Sequence, residues 1–112
     1  MTTQDPTIPD KLFENFLHRL VGRFFKIMPL KESNSPTLNL YLQSFKIDLM
    51  GCNSVMKATG YNDLFLQLID VLQFFLEHDF DNDTCHREVM KCIGIVKLLY
   101  EDYAGKPWSK HQ

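Results

Sequence analysis

The chain has 112 residues, 45% of them hydrophobic and 12% aromatic, with nine Phe; this is enough apolar bulk for one folded domain without metal or disulfide staples, and it argues against intrinsic disorder. The formal net charge of −2 argues against a protein whose main task is coating nucleic acid, while leaving room for a local basic patch. The longest apolar run, Leu64 to Leu76, is interrupted by Gln67, Asp70 and Gln73 and falls short of the ~20 residues that a membrane span requires.

Residues 1–6 are polar and are expected to flank the fold. They hold no basic patch followed by an apolar run, so no signal peptide is expected, and three cysteines without a CxxC pair fit a reducing compartment; both point to the cytoplasm. Thr7 and Asp10 can form a capping box around Pro9, and a first helix is predicted over about 8–28, stopped by Pro29. Phe13, Leu17, Leu20, Phe24 and Ile27 form its seam, which Leu12, Phe16, Val21, Phe25 and Met28 widen. Gly22 inside this pattern is expected to let a neighbouring helix or ring approach.

Ser35-Pro36 reads as cap and first residue of a second helix over about 36–59. Leu38, Leu42, Phe45, Leu49, Cys52 and Met56 recur in alternating steps of four and three, a heptad-like seam, and Gly60 is placed to end the helix in a left-handed conformation. The third helix, about 62–78, is capped by Asn62 or Asp63. Its polar residues Asp63, Gln67, Asp70, Gln73 and Glu77 fall on one narrow stripe, so it is expected to be the central, most enclosed rod, with Val71, Leu72 and Phe75 buried. The fourth helix, about 83–104, has its seam at Val89, Cys92 or Ile93, Val96, Leu99 or Tyr100, and Tyr103, and ends at Gly105 and Pro107 before a tail over 106–112 that contains Trp108. Short links between four amphipathic helices predict an all-α fold, an antiparallel up-down four-helix bundle of one domain, with a three-helix core as the alternative.

Chemistry-bearing patterns are sparse. Asp79, Asp81 and Asp83 imitate the opening of an EF-hand loop, but Thr84 stands where Gly is needed and Met90 where a bidentate Glu is needed, so the turn reads instead as an acidic helix cap. His78, Cys85, His86 and Cys92 lack zinc-ligand spacing. Cys85 near a helix start has a dipole that favours a thiolate, yet no oxyanion hole or glycine-rich turn accompanies it, and an inert helical cysteine is the better reading. No Glu has a His three residues later, which removes the carboxylate di-iron bundle. No catalytic residue, cofactor or metal is therefore assigned.

Two surface patterns remain. Arg19, Arg23 and Lys26, with His18 beside them and Lys31 as an extension, form a basic stripe that could hold phosphates or an acidic partner, though no aromatic is interleaved for base stacking. Asp63, Asp70 and Glu77 are its acidic counterpart and could pair with the basic stripe of another copy. The doubled apolar width of the first helix points to an interface through Phe16, Phe25 and Met28, with a homodimer or a protein partner, and no membrane, as the expectation. The functional expectation is a non-enzymatic protein–protein interaction or oligomerisation module, the alternative a nucleic-acid-associated accessory protein using the basic stripe. The segment LHRLVGRFFKIMPLKES, followed by SPTL, loosely resembles small bacterial helical proteins; no residue role follows from it.

Overall fold

A computed structural model describes residues 10–52 and 60–108. These form four helices, α1 (Asp10–Glu32), α2 (Leu38–Gly51), α3 (Asn62–Glu77) and α4 (Asn82–Ala104), with no strand among the described residues. Phe13 near the start of α1 meets Tyr103 near the end of α4, and His18 meets Tyr100 one turn further in. Tyr61, just before α3, donates to Asp102 of α4 at 2.7 Å, and Lys46 of α2 bonds Gln73 of α3. Neighbours therefore run antiparallel, in the up-down order that short links impose. The closest pairings are α1 with α4 and α2 with α3, and the two pairs stack into a rod of 51 × 27 × 19 Å.

The seams read from periodicity are the core. Phe13, Leu17, Leu20, Phe24 and Ile27 are buried, as are Leu42, Phe45 and Leu49 and, on α4, Val89, Cys92, Ile93, Val96, Leu99 and Tyr100. Val71, Leu72 and Phe75 face inward as expected. The third helix is not the central rod, however. Its close neighbours are α2 and α4, with α1 reaching it through Phe16 against Phe65, and Leu66 and Phe74 join Asp63, Gln67, Asp70 and Glu77 on its exposed side. Gln73 leaves the stripe, half-buried between Lys46 and Glu77. The apolar excess that suggested full enclosure lies partly in the open.

Helix ends depart from the sequence reading in instructive ways. Proline does not stop α1, which continues through Pro29 to Glu32. Pro29 and Phe25 both lie on the exposed side, so the carbonyl that a missing N–H leaves unbonded can meet water. Asn34, at φ 51°, ends the helix instead: the Ser35 N–H donates to the Leu30 carbonyl at 2.9 Å and the Asn34 N–H to the Lys31 carbonyl at 3.0 Å. This is a Schellman closure with Asn in the left-handed position usually taken by Gly. Ser35 is not the cap of α2: its hydroxyl accepts from the Thr37 N–H in the turn before the helix. The N-cap residue is Thr37, without a side-chain cap bond; α2 begins at Leu38 rather than Pro36, and it ends at Gly51. Thr7, Pro9 and Met56 lie outside the described residues. Neither Asn62 nor Asp63 caps α3; the N-cap residue is Tyr61, without a side-chain cap bond. Asp81 caps α4 by accepting from the Thr84 N–H at 2.7 Å, and Gly105, at φ 71°, closes it.

Gly22 admits no neighbour. It is exposed, and a Cβ built there, or on the equally exposed Gly94 of α4, would meet nothing within 4 Å. Both glycines sit in helix interiors, where alanine restricts the unfolded chain and favours the helix. Gly22→Ala and Gly94→Ala should each raise stability by about 0.5–1 kcal/mol. Urea denaturation of each variant checks this through a higher midpoint at unchanged slope.

Candidate interaction surface

Large apolar side chains left in solvent are unevenly spread. Leu40 and Ile47 of α2 are the most exposed, each keeping 65% of its surface, followed by Leu98 of α4 at 62%, Leu12 of α1 at 55% and Met50 of α2 at 51%. Leu42, Phe45 and Leu49 occupy the opposite, buried side of the same helix. A helix that is apolar all round is normally covered all round. α2 is covered on one side only.

Between α1 and α2 runs a groove whose floor is set by Arg23. Its guanidinium lies 4.3 Å from the Phe45 ring centre and donates to Asp48 at 2.9 Å, while the Tyr41 hydroxyl donates to the Arg23 carbonyl at 2.9 Å. Phe24 meets Phe45 beneath at a tilt of 59°, with ring centres 4.7 Å apart. Two dips lie along this groove. The larger, about 530 Å³, is lined by Phe16, Arg19, Arg23, Ile47 and Cys52 among others; the smaller, about 390 Å³, by Lys26, Leu30, Leu40, Tyr41 and Ser44 among others. The larger dip thus sets Arg19 and Arg23 of α1 beside the protruding Ile47 of α2, and the smaller sets Lys26 beside Leu40.

The basic stripe is consequently not uniform. Arg19 and Lys26 are exposed and carry no ion pair among the described residues, whereas Arg23 is held by Asp48 and two aromatic rings. Lys31 turns to the other end of the bundle, over the Phe80 ring at 4.6 Å. The three residues expected to form an interface do not share a surface. Phe16 is half-buried against Phe13 and Phe65, Met28 packs on the core, and only Phe25, 41% exposed, points outward. Neighbouring helices absorb Phe16, Val21 and Met28, while Leu12, 55% exposed, and Phe25 stay in solvent. The most exposed apolar pair lies on the second helix, where the off-seam positions Leu40 and Ile47 were its signal in the sequence.

His18 belongs to a separate cluster. Its ring stacks on Trp108 at 4.1 Å and meets the edge of Tyr100 at 5.0 Å. The Trp108 N–H donates to Glu101 at 3.1 Å, Lys106 pairs with Glu14 at 3.7 Å, and Lys97 sits 5.8 Å from the indole. His18 Nε2 and the Tyr100 hydroxyl are buried without a hydrogen-bond partner in the chain. Burial lowers the His18 pKa below 6.5, with Lys106 adding to that and Glu14 opposing it. A base with a depressed folded pKa binds its proton more readily when unfolded, so stability is intact above pH 6.5 and falls as pH drops from there through the folded value. Thermal midpoints measured down from pH 7.5 should show this fall, and His18→Leu should flatten it. Trp108 is the chain's one tryptophan, so its fluorescence reports the same step.

The remaining patterns acquire structural roles. Cys85 and Cys92 are buried, and burial raises both thiols, Cys92 to about 12, which opposes the thiolate that the helix dipole at Cys85 would favour. Burial and the nearby Asp48 raise Cys52 as well. In the acidic turn, the Thr84 N–H holds the Asp81 carboxyl below its usual range, as expected of a capping carboxylate. Among the described residues no three His, Cys, Asp or Glu side chains gather as metal ligands, and no helix is long and apolar enough to cross a membrane. Compared with known protein families, curated proteins and solved structures, the chain matches none.

Proposed function

We propose that this protein is a small, non-enzymatic helical module for protein–protein association or oligomerisation in the cytoplasm, and that the α1–α2 groove is its contact surface. The observation that supports this reading is that the two most exposed large apolar side chains, Leu40 and Ile47, sit on one helix whose other side is core and each line a dip of the groove. Grooves of this kind receive the apolar face of a partner helix, with anchors spaced about a heptad apart. Leu40 and Ile47 are seven residues apart and lie in adjacent dips.

Nucleic-acid association through Arg19, Arg23 and Lys26 has less support. Asp48 offsets Arg23, leaving two separated cations, and phosphate tracking gains its affinity from many contacts.

The test is a photo-reactive side chain installed at the position of Ile47, with His86, an exposed polar position on α4, as control. Irradiation in the host cell should yield protein adducts from position 47 and not from position 86. Adducts absent at 47, or equal at both, would remove the reading.

A further inference from the structure

The spacing of charge on two opposite sides of the bundle repeats with one period. On the groove, Arg19 shares a dip with Ile47 and Lys26 shares the next with Leu40. Both helices advance seven residues between dips, in opposite directions, which is about 10.5 Å of helix rise. On the outward side of α3, Asp63, Asp70 and Glu77 are exposed at the same interval of seven, without an ion pair among the described residues. The protruding Leu66 (43% exposed) and Phe74 (36% exposed) lie one turn before Asp70 and Glu77. The cations of one surface and the acids of the other therefore recur at the same interval of seven, while Leu66 and Phe74, eight residues apart, flank the acidic line on its two sides. Asp70 and Phe74 also edge a dip with Arg87 and Lys91 of α4, cations that Glu88 already holds.

We infer that the occupant of the α1–α2 groove is α3 of a second copy of this chain, with Asp70 and Glu77 meeting Arg19 and Lys26 and with Leu66 and Phe74 covering apolar surface on either side of that charged line. This rests on the reading of the groove as an association surface and names what fills it. Donor helix and acceptor groove are different faces, so the contact is heterologous. Each copy keeps a free groove or a free α3 after docking, and assembly grows past the dimer. A contact of one helix in one groove is small, so the association is weak and salt-sensitive.

Sedimentation velocity over a concentration series tests this. The wild-type protein should form species beyond the dimer at low salt and lose them at about 1 M salt, where screening falls to about 3 Å. Asp70→Lys with Glu77→Lys, and separately Arg19→Glu with Lys26→Glu, should each leave a folded monomer, because like charges then face each other across the contact. All four positions are exposed, and circular dichroism confirms the fold. Mixing the two variants restores opposite charges at every contact and should restore association. Asp70→Asn with Glu77→Gln, a milder change, should weaken self-association without abolishing it.

A monomeric wild type, a discrete dimer that grows no further, charge-reversed variants that associate unchanged, or a mixture that fails to recover would each overturn the inference. In any of these cases adducts at position 47 to a different protein would leave the association surface standing. The absence of any adduct at position 47, to this chain or to another protein, would remove both.

Discussion

Leu72→Ala should destabilise the protein by about 2–5 kcal/mol, whereas Leu66→Ala, on the same helix, should change stability by less than about 0.5 kcal/mol. The two side chains are identical, and only their surroundings differ. Leu72 has no exposed surface and packs within the continuous core that Phe45, Phe65 and Leu68 share, so its removal combines lost transfer energy with a cavity that close-packed neighbours cannot collapse. Leu66 keeps 43% of its surface, and its truncation opens no void. Urea denaturation of both variants, fitted to a two-state transition, gives the comparison directly. A loss below about 1 kcal/mol at Leu72 would mean that α3 does not dock through this face. A loss at Leu66 as large as at Leu72 would instead support the enclosed third helix that its narrow polar stripe suggests.

That stripe shows where sequence reading reached its limit. Periodicity fixed which residues face the core on every helix, because burying Phe13, Leu17, Leu20, Phe24 and Ile27 together is possible only if a 3.6-residue repeat places them on one side. Capping chemistry also told where α4 stops, since Gly105 can adopt positive φ at no steric cost. What periodicity could not supply was the number of neighbours each helix has. Leu66 and Phe74 on α3, and Leu40 and Ile47 on α2, satisfy an apolar pattern without being covered, and the sequence gives them the same letters as buried residues. Pro29 misled for a related reason. Proline's disruption of a helix depends on whether the carbonyl it strands is buried, and here it faces solvent. The groove was half legible: its cations, Arg19 and Lys26, stood out as a stripe, but the capture of Arg23 by Asp48, twenty-five residues away, is a product of the fold.

Phe45→Ala should be the most damaging single change near the groove, at about 3–5 kcal/mol, because two layers rest on this one ring. Below it lies Phe24, at 4.7 Å, in the core; above it lies the Arg23 guanidinium, at 4.3 Å, facing the groove. Truncation opens a cavity against Phe24 and removes the seat of Arg23 together. Phe45→Leu keeps much of the volume and should lose clearly less, about 1–2 kcal/mol, since packing dominates and the ring's attraction for the cation at a partly exposed site adds only about 0.5–1 kcal/mol. Arg23→Met keeps the apolar stem and removes the charge. A double-mutant cycle of Arg23→Met with Phe45→Leu should then return a coupling of about 0.5–1 kcal/mol. The Arg23–Asp48 ion pair, exposed on the Asp48 side, should contribute less in an Asp48→Asn variant, because water screens it. A coupling near zero would mean that the guanidinium is held by Asp48 rather than by the ring.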